Sequence, residues 1–157
     1  MKKNDIISYV VIILVVVLIR TFIATPIKVN GDSMNNTLKD GYLMILKKFD
    51  KKIERFDIVV VKYKSDKIIK RVIGLPKEDV KYENGKLYIN DKEVKDEFNN
   101  QETKDFKYYC GDDEYFVMGD NRGNSLDSRI IGCVKRNDIM GSTDFVIFPF
   151  NKFGSVV

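Results

Sequence analysis

Val80-Lys81-Tyr82-Glu83-Asn84-Gly85-Lys86-Leu87-Tyr88-Ile89 consists of two alternating four-residue runs separated by Asn-Gly. Asn and Gly both tolerate positive φ, which a type I′ turn requires, and the twist of that turn matches two antiparallel strands. The stretch therefore predicts a β-hairpin. Working outward, Ile58 to Tyr63 and Lys67 to Ile73 are rich in β-branched residues and predict a second hairpin over Lys64-Ser65-Asp66. Asn90-Asp91 marks a further turn, and Tyr115 to Met118 and Ile130 to Val134 read as strands around a loop rich in Gly and Asn. After Pro26 no helical period lasts three turns. The fold class is mainly β, one domain from residue 25 to 157, with the charged 91–105 stretch expected as a solvated loop or the edge of a small subdomain.

A chain of 157 residues suits one domain better than two. It contains no histidine and two cysteines. Ser-His-Asp triads, Cys-His pairs and histidine pH switches are excluded, as are His-ligated and four-thiolate zinc sites. A base acting near neutral pH must be Lys, Asp, Glu, Tyr or the α-amino group. Of 27 basic and 23 acidic residues, three and one lie in the first 24 positions, so the remainder carries 24 against 22. Lys, Asp and Glu alternate through the second half, which is the pattern of a solvated surface and not of a nucleic-acid-binding face.

From Ile6 to Ile19 the chain is uncharged and mostly branched apolar, and the run continues past Arg20 to Ala24. At about 1.5 Å per residue, Ile6 to Ala24 extends about 28 Å as a helix, close to one hydrocarbon thickness. A buried core helix would need a larger domain around it. A cleaved export signal would need a small-residue cutting site, which is missing. Residues 1–24 are expected to be a cytoplasmic tip and single-pass anchor, with Lys2 and Lys3 on the cytoplasmic side, Arg20 at the opposite interface, and the domain outside the cytoplasm.

Three polar segments are candidates for chemistry. Ser33, in Val29-Asn30-Gly31-Asp32-Ser33-Met34-Asn35-Asn36-Thr37-Leu38, reads on its own as a turn former. Lys70 shares a strand face with Ile68 and Val72, and Ile69, Arg71 and Ile73 share the other. Two readings of Lys70 are open: a side chain running along apolar surface to water, or an amine kept dry enough to lose its proton. With an ordinary pKa near 10.4, about one lysine in 2,500 is neutral at pH 7, and burial lowers that barrier. A Ser/Lys dyad is thus a histidine-free route to acyl transfer. The third segment is Met118-Gly119-Asp120-Asn121-Arg122-Gly123-Asn124-Ser125-Leu126-Asp127-Ser128-Arg129, in which Ser125 is suited to orient an amine and Asp127 with Arg129 to form a brace.

Taken in order, the apolar N-terminus, Gly31-Asp32-Ser33-Met34 with Thr37-Leu38, Asp57 to Val61, Lys70-Arg71-Val72-Ile73-Gly74-Leu75-Pro76 and the Gly119 to Arg129 segment resemble the type I signal peptidases, membrane-anchored Ser/Lys endopeptidases. The resemblance implies Ser33 as nucleophile, Lys70 as general base, Ser125 holding the lysine, Asp127 with Arg129 as a supporting ion pair, and Asp120 facing Arg71. It implies Val29, Met34, Leu38, Ile68 and Ile69 as shallow pockets for alanine-like side chains, with the substrate adding a strand between those segments. About 77–114 would be a hairpin-containing non-catalytic subregion. The implied partners are signal peptides of secreted preproteins and the lipid bilayer, with no nucleic acid, no cofactor, no metal and a monomeric chain.

Two positions depart from the family pattern. Gly31 stands where part of the family has a serine that donates to the oxyanion, glycine here resembling the pattern of Gram-positive enzymes, and Asn36 stands where proline is usual. Nine residues from Ala24 to Ser33 span at most about 30 Å, which keeps the nucleophile near the outer membrane surface. The competing readings are a membrane-anchored non-catalytic peptide-binding β domain, an inactive homologue, or a relative of the self-cleaving repressors. The last carry a DNA-binding domain and lack the apolar span. Cys110 and Cys133 lie outside the cytoplasm in this topology, where pairing is allowed.

Overall fold

A computed structural model describes residues 3–18, 24–48, 52–99 and 101–156. Helix α1 covers Lys3–Leu18 and is apolar all round. The rest is mainly β: β1 (Ala24–Lys28), β2 (Leu43–Lys47), β3 (Ile58–Tyr63), β4 (Asp66–Gly74), β5 (Asp79–Glu83), β6 (Lys86–Ile89), β7 (Lys92–Val94), β8 (Phe106–Tyr109), β9 (Glu114–Met118), β10 (Val134–Lys135), β11 (Ile139–Ser142), β12 (Phe145–Phe148) and β13 (Gly154–Ser155), with a short helix α2 (Ser128–Ile131) after β9. Among the described residues these strands form two sheets. The larger runs β10-β9-β4-β3-β11-β2-β12-β13 with β1 on β2, and the smaller runs β7-β6-β5-β8.

Local sequence explains the turns. Asn84 and Gly85 adopt φ 51° and 77°, and Glu83 pairs with Lys86 across them, so the hairpin closes on the two residues expected. Asn90 and Asp91 repeat the device with φ 49° and 61° and lead into β7. The β3–β4 turn is tighter than expected: Tyr63 pairs with Asp66, leaving only Lys64 and Ser65 in the loop. The described residues of the 91–114 stretch are more ordered than their charge suggests. Phe106 and Tyr108 alternate with exposed neighbours, and β8 docks on β5 to complete the smaller sheet. Ile130 and Ile131 are helical, not strand-like, because the Asp127 side chain accepts from the Arg129 N–H and starts a turn that Gly132 ends at φ 79°.

Three apolar clusters hold these parts together. Val59, Val61, Val72, Val117 and Ile139 fill one side of the large sheet. Ile73, Phe116 and Met118 bury the inner face of the small sheet through Val80, Tyr82, Leu87 and Ile89. Val29, Met34, Leu38, Met44, Ile58 and Val146 form a floor beneath residues 31–37. A disulfide joins Cys110, just past β8, to Cys133, between α2 and β10, with Cα atoms 5.8 Å apart.

Candidate active site

Strand β4 becomes progressively buried along its length. Asp66 and Lys67 are exposed, Ile68 and Ile69 half-buried, and everything from Lys70 to Gly74 buried. The reason is pairing: β3 flanks Asp66 to Arg71 on one side, and β9 joins from Arg71 onward on the other. Lys70 is therefore the first side chain inside, 2% exposed. Its Nζ donates to Ser33 Oγ at 2.6 Å.

Ser33 sits in a compact turn. Gly31 enters it at φ 83° and donates its N–H to Asp40 Oδ1 at 2.7 Å. Asn35 N–H donates to Asp32 O, and Thr37 and Leu38 N–H both donate to Met34 O. Met34 and Leu38, 1% and 0% exposed, pin the turn to the floor beneath it. From the other side, Asn121 grips the turn twice: its N–H donates to Ser33 O and its Nδ2 to Asp32 O, both at 3.0 Å.

Two buried carboxylates stand near Lys70, and each is already occupied by an arginine. Asp120 takes a bidentate pair from Arg71, Nε at 2.9 Å and Nη2 at 2.8 Å, with both side chains fully buried. Thr37 Oγ1 also donates to Asp120 at 2.5 Å, and the Arg71 guanidinium stacks 3.5 Å from the Phe98 ring centroid. Asp127 accepts from Arg129 Nε at 2.9 Å, Arg129 Nη2 at 2.8 Å and Gly119 N–H at 3.0 Å. Burial opposes ionisation of Asp127, but the Arg129 guanidinium, the Gly119 N–H and the nearby Ser125 hydroxyl outweigh it and hold its pKa below the ordinary value.

This arrangement sets the state of the lysine. Burial lowers the Lys70 pKa from 10.5 to about 8, against the opposing pull of Asp127 and then Asp120. Because both carboxylates are neutralised by guanidinium groups, neither captures the ammonium, and desolvation prevails. A drop of this size makes about one amine in ten neutral at pH 7.

Gly119 explains how the loop comes so close. A Cβ there would lie 2.2 Å from Ser125 Oγ and 2.4 Å from Ser33 O, so no side chain fits. The Ser125 hydroxyl oxygen is buried and makes no hydrogen bond of ordinary geometry, to Lys70 or to any other described residue. Of the five expected pocket residues, Val29, Met34 and Leu38 are core, no more than 2% exposed. Ile68 packs on the Val59–Val72 cluster, and Ile69 alone lines a groove of about 280 Å³ with Pro26, Ile27, Asn30 and Val60. Asn36, at the position where proline was expected, donates its Nδ2 to Asp120 O at 3.0 Å and so ties the turn to the loop by another route. Thr37, Phe98 and Asn121 gave no sign of their contacts in the sequence, since their partners lie 27 to 89 positions away.

A family model described as signal peptidase, peptidase S26, matches residues 3–148. The chain belongs to the signal peptidase S26 family. It is accordingly a peptidase, a hydrolase of peptide bonds. A signal peptidase I of Bacillus amyloliquefaciens is 36% identical over 171 residues, covering 96% of this chain and 92% of the relative. Signal peptidase I S of Bacillus subtilis strain 168 is 37% identical over 172 residues, covering 96% and 94%. Among solved structures, a signal peptidase I from Enterococcus faecalis V583 aligns with a TM-score of 0.54 at 34% identity, over 59% of this chain and 97% of that one. The mainly β architecture is that of a signal peptidase.

Proposed function

We propose that this chain is a membrane-anchored endopeptidase that removes signal peptides from exported preproteins, cutting after small residues with Ser33 as nucleophile and Lys70 as general base. The observation that carries this reading is the 2.6 Å contact between Lys70 Nζ and Ser33 Oγ, with the amine desolvated and its pKa lowered to about 8. When the amine is neutral the contact reverses, and the Ser33 O–H donates to Nζ. The alkoxide oxygen attacks the scissile carbonyl, Lys70 passes the proton to the leaving amine, and water then releases the acyl group by the same route. The Ser33 N–H supplies one oxyanion donor. Gly31 has no side chain to offer, and its N–H is held by Asp40.

Asp127–Arg129 and Asp120–Arg71 act as neutralised braces, while the expected hold of Ser125 on Lys70 is not carried by a direct hydrogen bond between them. An extended substrate has room between β1 and the Asp66–Lys70 end of β4, which among the described residues pair only with β2 and β3 respectively. The groove with Ile27, Val60 and Ile69 lies between these two edges. A strand laid there satisfies both.

The anchor reading rests on α1. Its large apolar side chains from Ile6 to Leu18 are 45–62% exposed on every face, which suits lipid and not water. Among the described residues no helix is long and apolar enough to cross a membrane; α1 has 16 residues, and Ile19 to Ile23 of the expected span lie outside the description. The N-terminus is then cytoplasmic and the β domain, which holds the catalytic groups, extracytoplasmic, working as a monomer with signal peptides and lipid as its partners. The test uses detergent-solubilised chain and a preprotein with Ala at minus one and minus three. Wild type should cut once, and Ser33→Ala and Lys70→Ala should not. Cleavage by Ser33→Ala would favour a non-catalytic binding domain and a contaminating enzyme.

A further inference from the structure

The charged 91–105 stretch is expected to be a solvated loop or the edge of a small subdomain, with no chemistry assigned, yet Gln101 within it lies against the loop that grips the nucleophile turn. Gln101 Oε1 accepts from Gly123 N–H at 2.9 Å, and Gln101 Nε2 donates to Asn121 Oδ1 at 3.2 Å. The direction of these bonds is forced. A backbone N–H only donates, so Oε1 must face Gly123; the Asp32 carbonyl only accepts, so Asn121 Nδ2 must face it. Nε2 and Oδ1 are then left facing each other as donor and acceptor. Asn121 is thereby held in the one amide orientation in which it reaches Asp32 O while its N–H holds Ser33 O.

We propose that Gln101, acting through Asn121, is a positioning residue that fixes the backbone of the Ser33 turn against Lys70. This rests on the reading of Ser33 as the nucleophile. Exposed hydrogen bonds of this kind compete with water and are weak in a mobile segment. Here the segment is already anchored. Asp96 pairs with Arg122 Nη2 at 2.7 Å, with the two side chains 6% and 0% exposed, and accepts from the Tyr82 hydroxyl. Burial pushes the Tyr82 pKa up to about 12, so this phenol stays a donor. Arg122 Nε donates to Gly119 O, the backbone of the same loop. Gln101 is itself pre-set, its N–H donating to Asn99 Oδ1 at 3.0 Å. The ordering cost has been met elsewhere, and what remains for Gln101 is orientation.

The test compares full-length wild type, Gln101→Met, Gln101→Glu and Ser33→Ala in detergent on the same preprotein, with kcat and KM measured across pH. Gln101 is exposed, so its replacement should leave folding intact, checked by thermal melting. Gln101→Met removes both bonds at nearly constant shape and should lower kcat about tenfold, the scale of a sub-ångström misplacement, with KM within about twofold. Gln101→Glu keeps an acceptor for Gly123 but has no donor for Asn121, and should fall between the two. The midpoint of the pH profile should stay that of wild type, because Lys70 remains buried. Unchanged kcat in Gln101→Met overturns the inference and leaves the dyad intact. A midpoint that climbs toward 10.5 also overturns it, since that would report water entering the site and not a misaligned nucleophile. If wild type itself fails to cut, it is the underlying functional reading that fails.

Discussion

A lysine becomes useful at neutral pH only when nearby carboxylates are prevented from pairing with it. Asp120 and Asp127 are both close enough to raise the Lys70 pKa, yet each is committed to a bidentate arginine, and burial wins. Replacing Asp127 by Asn removes a charge that favours the ammonium and leaves the Arg129 cation beside it. The pH–rate midpoint of Asp127→Asn should therefore move below that of wild type even as the maximal rate falls; an upward move would contradict this electrostatic assignment. Lys70 also couples stability to pH. Its folded pKa is lowered, so the unfolded chain binds more protons between about pH 8 and 10.5, and stability gains from rising pH in that window. Comparing chemical denaturation at pH 8 and pH 10 for wild type and Lys70→Met should show this gain in wild type and its absence in the variant.

At the level of elements, the loop from Gly119 to Arg129 and the turn around Ser33 form one unit joined through a glycine. Gly119→Ala forces a methyl group onto Ser125 Oγ and the Ser33 carbonyl. It should reduce cleavage by at least tenfold and lower stability by about 1–3 kcal/mol, the usual cost of overpacking, as read from denaturant midpoints. A loss confined to stability, with kcat intact, would separate the loop from any role in positioning Ser33. The Cys110–Cys133 bridge closes a separation of 23 residues between the small sheet and the end of α2. Loop-closure entropy assigns such a bridge about 3 kcal/mol, so reduction should lower Tm by on the order of 10 °C. The turns on Asn84-Gly85 and Asn90-Asp91 were legible in the sequence because their chemistry is local. Helix α2 was not read, since Ile130 to Val134 resembles a strand until the Asp127 cap is seen. The hold of Gln101 on Asn121 was equally hidden, because 20 positions separate the two and neither residue alone signals its partner.

For the whole molecule, an exposed apolar helix precedes a β domain in which Ser33 lies nine residues beyond Ala24. The proposed anchoring limits the search to the bilayer plane, which matters only for substrates that are themselves in the membrane. A chain lacking residues 1–24 should cut a soluble peptide at close to the full-length rate and a membrane-inserted preprotein much more slowly; equal slowing on both would assign the helix a folding role instead. Order along the chain revealed the boxes, but only the two sheets and their shared core show that Lys70 is the first buried residue of β4 and so both dry and within reach. That single placement is the central claim, and it can be observed without a substrate. Lys70 should be titrated by NMR through its ¹³Cε resonance in the full-length chain, assigned with Lys70→Met. The midpoint should lie near pH 8, coincident with the rise in kcat/KM. A Lys70 midpoint at 10 or above would contradict it.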